Sequence, residues 1–223
     1  MFIFLSYKID SNTPMYGGRE GFILTKSSSI EKGDAANTSI WTFPNHLGTH
    51  IDFPFHFHQN GQTIEDFPVD FWKVNGEKIQ IFEVNLPEGK MLINPEYLDN
   101  ENLNKNAEFL IFNTGFGRYR NQDKYWKYNP GLSIKTADWI VNNFKKIKII
   151  GIDSISISSW QHRDIGRKVH KKLLDPKKPK VFIEDMDLTN IKKNTIIKNI
   201  IIAPMMVKQS DGGPCTIIAE VER

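Results

Sequence analysis

Short apolar runs broken by turn residues dominate the first half of the chain. Residues 2–7 read as a strand, Gly17-Gly18 turns the chain, and residues 21–25 read as another strand. Residues 78–84, 109–113 and 147–152 are rich in Ile, Phe and Val, the composition of buried strands. Residues 181–183 and 197–203 repeat that character. The clearest helix lies between the runs at 109 and 147. Ser133 follows Pro130-Gly131-Leu132 as an N-cap, and Ala137, Trp139, Ile140 and Phe144 recur at helical spacing. Strand, helix and strand in that order predict a βαβ-like unit. No internal repeat, low-complexity block or linker divides the chain. A single mixed α/β domain over residues 1–223 is expected.

Composition narrows the chemistry. At 223 residues the chain can bury on the order of 70% of its unfolded surface without staples. Its single cysteine, Cys215, excludes an internal disulfide and any zinc site built on several thiolates. A metal would have to be held by imidazole and carboxylate. Charge is nearly balanced, with 29 basic and 26 acidic residues. Lys145-Lys146 and Lys177-Lys178-Pro179-Lys180 are short and lack interleaved aromatics, as in solvated surface rather than a nucleic-acid contact. No apolar run reaches the roughly 18–20 residues that span a bilayer. Met1 to Leu5 is cut off by Ser6-Tyr7-Lys8, short of a signal-peptide core. A soluble, cytoplasmic protein with no nucleic-acid or membrane partner is expected.

The chemistry concentrates in one segment. Four of the six histidines fall between positions 46 and 58. His46, His50, Asp52 and His56 are separated by 4, 2 and 4 residues, and even intervals on an extended chain point to one face. Pro54 argues against a continuous helix, and Gly48 permits a sharp turn that folds His46 back towards His50. Three imidazoles and a carboxylate converging in this way suit Zn²⁺ or Mn²⁺. His58 shares the spacing but runs into the polar Gln59-Asn60-Gly61-Gln62 turn, where a surface role is expected.

The order His46-x-Gly48-Thr49-His50-x-Asp52-x-Pro54-x-His56 is similar to the signature of the putative cyclase family, which includes bacterial kynurenine formamidase (arylformamidase) and isatin hydrolase. Further segments extend the resemblance over nearly the whole chain. Leu5-Ser6-Tyr7 with Thr13-Pro14 resembles the opening strand and loop, and Asn113-Thr114-Gly115-Phe116 resembles an Arg-Thr-Gly-Trp turn altered at both ends. Residues 128–133 resemble a Pro-Gly-Leu-Ser helix start, Gly151-Ile152-Asp153 with Ser156 a Gly-x-Asp strand, and Asp211-Gly212-Gly213-Pro214 an Asp-Gly-(small)-Pro turn.

What the resemblance implies is specific. The fold would be a swivelling β/β/α single domain with a mixed sheet. His46, His50 and Asp52 would hold a first divalent metal. Asp52 and Glu184 would bridge to a second, completed by His170, and His56 would be the general acid/base. On their own, His170 reads as a surface residue among lysines and Glu184 as the start of an acidic loop. Two ions per chain are expected, Zn²⁺ first and Mn²⁺ second. The implied reaction is hydrolysis of an aryl formamide such as N-formyl-L-kynurenine, a step of tryptophan catabolism, by metal-bound hydroxide to formate and amine. Tyr16 stands where the family has a larger aromatic ring in the substrate pocket, and Trp160-Gln161-His162-Arg163 could border that pocket or form a surface loop. A cyclic amide hydrolase and a non-catalytic metal- or small-ligand-binding protein are the alternatives. A homodimer or homotetramer is expected by resemblance alone.

Overall fold

A computed structural model describes residues 1–19, 21–99, 102–192 and 194–222. The chain runs through β1 (Phe2–Phe4), β2 (Ile23–Ser28), β3 (Thr38–Thr42), β4 (His50–Asp52), β5 (Lys73–Asn75), β6 (Ile79–Glu83) and β7 (Leu92–Ile93). It continues through β8 (Phe109–Asn113), α1 (Lys124–Lys127), β9 (Gly131–Leu132), α2 (Ile134–Asn143) and β10 (Ile149–Ile152). It ends with α3 (Arg163–Leu173), β11 (Val181–Glu184), β12 (Ile197–Pro204) and β13 (Gly212–Val221). Nine strands form one mixed sheet in the order β5-β12-β13-β4-β11-β10-β8-β6, with β1 paired to β13.

The sheet has a parallel half and an antiparallel half. β6, β8, β10 and β11 are mutually parallel, and β8-α2-β10 is the predicted strand–helix–strand unit. β4 runs antiparallel to β11 on one side and to β13 on the other, so it is the seam between the halves. The parallel strands carry apolar residues at nearly every position because both their faces are covered. Phe109, Ile111, Val181 and Ile183 point into one core with Leu5, Ile51 and Phe53. Leu110, Phe112, Ile150 and Phe182 point into a second core, where Ala137 and Ile140 of α2, Phe144 at its C-cap, and Val169 and Leu173 of α3 meet them. The Ser133 hydroxyl accepts from the Thr136 amide at 3.1 Å and caps α2.

Three departures from the sequence pattern matter. The first strand stops at Phe4, and Leu5 turns into the core instead of continuing the ladder. The strand expected at 21–25 runs from Ile23 to Ser28 and is exposed rather than buried, pairing only with β3 in a separate ribbon. α3 replaces the expected surface segment around His170, because Ile165, Val169 and Leu173 form a narrow apolar stripe that the intervening lysines and arginines conceal. Among the described residues, no helix is long and apolar enough to cross a membrane.

Candidate active site

Strand register assembles the centre of the site. Side chains two apart on a strand share a face, so His50 and Asp52 project together from β4. Glu184, the last residue of β11, lies directly opposite His50 and joins the same face. It therefore sits at the carboxyl end of a parallel strand, where open α/β sheets present their ligand sites. Even spacing accounts for His50 and Asp52 alone. His46 comes back through a turn at Gly48 (φ +65°), and His56 rides on the Pro54–His56 3-10 turn. His170 enters from α3.

Each carboxylate of the pair offers one oxygen to each of two sides. Asp52 Oδ1 lies 2.7 Å from His46 Nδ1 and 3.4 Å from His50 Nε2, while Oδ2 lies 3.5 Å from His170 Nε2. Glu184 Oε2 lies 3.5 Å from His50 Nε2, and Oε1 lies 3.5 Å from His170 Nε2. His46 and His50 thus face Asp52 Oδ1, with His50 also near Glu184 Oε2, while His170 faces Asp52 Oδ2 and Glu184 Oε1. His56 lies at the more exposed rim, with a ring nitrogen within 4.8 Å of ligand atoms of His46 and Asp52.

The tautomers follow from the partners. Carbonyl oxygens only accept, so His50 Nδ1–H donates to Gly48 O at 2.8 Å and His170 Nδ1–H donates to Gly166 O at 2.9 Å. Backbone bonding of one ring nitrogen is how metal-ligating histidines are oriented, and it aims Nε2 at the carboxylates. The 3.4–3.5 Å separations there exceed ordinary N–H···O bonds of about 2.7–3.2 Å. They match the edge of a tetrahedron whose ligands stand about 2.0–2.2 Å from a central cation. Both carboxylates are nearly sealed, with side chains 2% and 5% exposed. The donor set therefore fits a divalent metal.

Without a cation the same groups hold protons. Burial opposes charging His46, His50 and His170, but the charges and hydrogen bonds of Asp52, with Glu184 at His50 and His170, prevail. His46 is raised to about 9, His170 to about 10, and His50 well above its ordinary value. Burial would likewise raise Asp52, yet the His46 charge and the hydrogen bonds from the three imidazoles hold it well below the usual range.

A third carboxylate, to which sequence reasoning gave no role, organises the rim. Asp211 Oδ2 accepts from His46 Nε2 at 2.9 Å and from His56 Nδ1 at 2.8 Å. Hydrogen bonds from those imidazoles hold its carboxyl far below the usual range. The signal was present in Asp211-Gly212-Gly213-Pro214, where Gly212 is required by space. A Cβ there would come within 2.4 Å of Ile51 O and 2.5 Å of His46 Cε1. Behind the centre, Glu184 Oε1 accepts from the Ile157 amide at 2.7 Å and from Ser156 Oγ at 3.0 Å. Buried Asp185 follows with φ +52°, clamped by Arg120 Nη2 at 2.7 Å and Tyr125 Oη at 2.5 Å.

The centre forms the floor of a cavity of about 370 Å³. Tyr16 and Trp160 stand in its wall edge-to-face, ring centroids 5.0 Å apart, so the Trp160 segment borders the pocket. Arg163 of that segment lines it too, as do Arg19 and Arg167, which were not singled out in the sequence. His162 lies outside the lining, and His58 Nε2 is tied to Lys171 O at 2.9 Å.

A mixed α/β fold carrying a buried imidazole–carboxylate centre at a strand seam is the class of protein defined by these features. The chain belongs to the putative cyclase family, whose sequence model matches residues 3–159. That span holds the His46–His56 motif and ends before His170, Glu184 and Asp211. The chain is 23% identical over 227 residues to cyclase-like protein 2 of Arabidopsis thaliana, covering 96% of this chain and 77% of that one. It is 24% identical over 210 residues to kynurenine formamidase of Bacillus cereus, covering 94% and 92%. Two solved structures share the fold. One is a potential metal-dependent hydrolase with cyclase activity (TM-score 0.74, 18% identity, 98% and 96% coverage). The other is isatin hydrolase A of Labrenzia aggregata bound to benzyl benzoate (TM-score 0.76, 15% identity, 98% and 93% coverage).

Proposed function

We propose that this protein is a metal-dependent amide hydrolase that cleaves an aryl formamide such as N-formyl-L-kynurenine. The observation that carries the reading is the buried Asp52–Glu184 pair, each carboxylate turned to histidine Nε2 atoms at 3.4–3.5 Å on two sides. His46, His50, Asp52 and Glu184 would hold one divalent ion, and His170 with the other oxygens of Asp52 and Glu184 a second. Zn²⁺ or Mn²⁺ held there polarises a carbonyl and lowers the pKa of water. The names of the Bacillus cereus relative and of the structural neighbours support the hydrolase class.

The chain's own residues supply the rest. Asp211 accepts the Nδ1 proton of His56 and so leaves Nε2 as the basic nitrogen, facing the pocket from its rim. His56 Nε2 takes a proton from the attacking water as the C–O bond forms. It returns that proton to the leaving nitrogen as the C–N bond breaks, giving formate and amine. Tyr16 and Trp160 flank the aryl ring, and Phe57 packs beside His170 at 4.6 Å between centroids, shielding that side from water.

A second copy of this chain is the partner that the surface favours. Among the described residues the β2–β3 ribbon pairs with no other strand, and an isolated two-stranded ribbon is marginal in water. Its Leu24 and Trp41 face a groove of about 1180 Å³ that Phe4 and Met205 also line, and Phe4 and Trp41 are each 63% exposed. Each copy offers the same ribbon and the same groove, so mutual insertion is two-fold symmetric and closes.

Metal analysis of the purified protein should find close to two divalent ions per chain, lost on chelation together with activity. His56→Ala should keep the metal and lose turnover, whereas Glu184→Ala should lose the metal. Substrates to screen are N-formyl-L-kynurenine, formanilide, isatin and small lactams. Turnover of isatin alone would move the reading to cyclic amides, and an active, metal-free, chelator-resistant protein would sink it.

A further inference from the structure

The residue that follows Glu184 is strained, and every polar atom it has is held. β11 ends at Glu184, opposite His50, and continuing that register would set Asp185 opposite Thr49. Instead Asp185 turns left-handed at φ +52°, a conformation that costs energy for any residue with a side chain and that Asp tolerates better than most. Its amide donates to Ser154 O at 2.9 Å, and its carbonyl accepts from the Thr49 hydroxyl at 2.5 Å. Its carboxylate accepts from Arg120 Nε and Nη2 at 2.7–3.1 Å and from Tyr125 Oη at 2.5 Å. The Thr49 hydroxyl also accepts from the Tyr7 amide at 3.0 Å, and the Arg120 guanidinium lies 4.1 Å over the Tyr7 ring. Thr49, Arg120, Tyr125 and Asp185 all lie outside the lining of the pocket. Thr49 stands inside the His46–His56 motif, yet the hydrolytic chemistry gives it no part.

We propose that Thr49 and Arg120, acting through Asp185, are positioning residues that lock the Glu184 carboxylate between His50 and His170. The role of Glu184 as a metal ligand rests on the hydrolase reading, whereas the lock rests on these hydrogen bonds alone. Strand ends fray, so a ligand on the last residue of β11 has to be fixed from outside the strand. The left-handed turn swings the chain off β4 at once, and Met186 N then reaches Ile152 O and Asp187 N reaches Leu5 O, both at 3.0 Å. Glu184 is left as the final residue of the strand, its Oε1 already seated on the Ile157 amide and the Ser156 hydroxyl. Removing the Thr49 hydroxyl strands a buried carbonyl beside a strained residue, and relaxation of that turn displaces Glu184 first.

Zn²⁺ titration of the chelator-treated protein against a chromophoric chelator tests this, with the Tm of each metal-free variant measured alongside. Thr49→Val keeps the shape of the side chain and loses the hydroxyl, and should weaken Zn²⁺ binding by about 10–100-fold. Thr49→Ser should recover most of that loss. The double variant Arg120→Met/Asp185→Asn removes the guanidinium grip without stranding a charge. It should recover Tm and still bind Zn²⁺ about 10-fold more weakly than the wild type. In the Zn²⁺-saturated enzyme the deficit with N-formyl-L-kynurenine should fall on kcat and leave KM in place, because none of these side chains lines the pocket. Wild-type Zn²⁺ affinity in Thr49→Val, or affinity that returns together with Tm in the double variant, overturns the lock and leaves the hydrolase standing. Weakened Zn²⁺ binding in Thr49→Val, rescued in Thr49→Ser, in a protein that hydrolyses no amide does the reverse.

Discussion

Stripping the metal should leave a protein that becomes less stable as pH rises through neutrality. In the folded, metal-free chain His46 is raised to about 9 and His170 to about 10, against an ordinary imidazole value of about 6.5. The folded state then holds these protons more tightly than the unfolded chain. The stabilisation is complete below about pH 6.5 and disappears as pH climbs through 9 to 10. For His46 alone, a rise from 6.5 to about 9 corresponds to about 3 kcal/mol at ~1.4 kcal/mol per tenfold. His170 draws on the same Asp52, so its share is not simply additive. For a chain of this size, 3 kcal/mol corresponds to roughly 6–12 °C in Tm. Thermal melts of chelator-treated protein between pH 6.5 and 9 measure it, repeated with saturating Zn²⁺. In the loaded protein the cation has displaced these protons, so its melting curve should lack the decline, and metal affinity should increase with pH. A metal-free Tm that is flat or rising across that window would refute the proton-for-metal exchange. So would an identical decline with metal bound.

Three further perturbations test separate parts of the structure. Gly212→Ala forces a Cβ against Ile51 O and the His46 ring, and should cost about 1–3 kcal/mol in urea unfolding while weakening metal binding; unchanged metal affinity would show that His46 is not needed where it sits. Arg120→Met strands the buried Asp185 carboxylate and should cost about 3–5 kcal/mol, largely recovered in the double variant Arg120→Met/Asp185→Asn, because Asn tolerates the left-handed backbone there. Equal destabilisation of both variants would contradict this charge-pairing account. Trp41→Asp should convert a dimer to a monomer in light scattering without lowering the monomer's own Tm, whereas an already monomeric wild type would remove the ribbon exchange.

The parts of the fold that were legible in sequence are those with both faces buried or a local cap. Residues 109–113 needed only their run of Phe, Leu and Ile, and α2 needed only Ser133 and its apolar stripe. The histidine segment announced a metal by its density, but geometry there is not periodic, since a turn at Gly48 and Pro54 carries two of the imidazoles. Glu184 and His170 became readable only through resemblance, because strand pairing across more than a hundred residues brings Glu184 opposite His50. Asp211 needed the same long-range pairing, with Gly212 opposite Asp52, and its motif offered shape without a role.

That division also separates the reaction from the substrate. The floor is built on β4 and β11 and on a helix locked by the close approach of Gly166 to Ser158, where a Cβ would fall 2.0 Å from the serine hydroxyl. Such a frame fixes donor atoms closely, and donor positions decide which bond can be cut. The wall is built differently. Tyr16 lies in a loop turned by Gly17 and Gly18 at positive φ, Trp160 lies in a turn, and Arg163 is the first residue of α3. Loops can exchange side chains without disturbing the sheet, so relatives at 24% identity can share a floor and differ in what they admit. On the proposed hydrolase reading, the wall residues Tyr16 and Trp160, which lie outside the His46–His56 motif, would select the substrate.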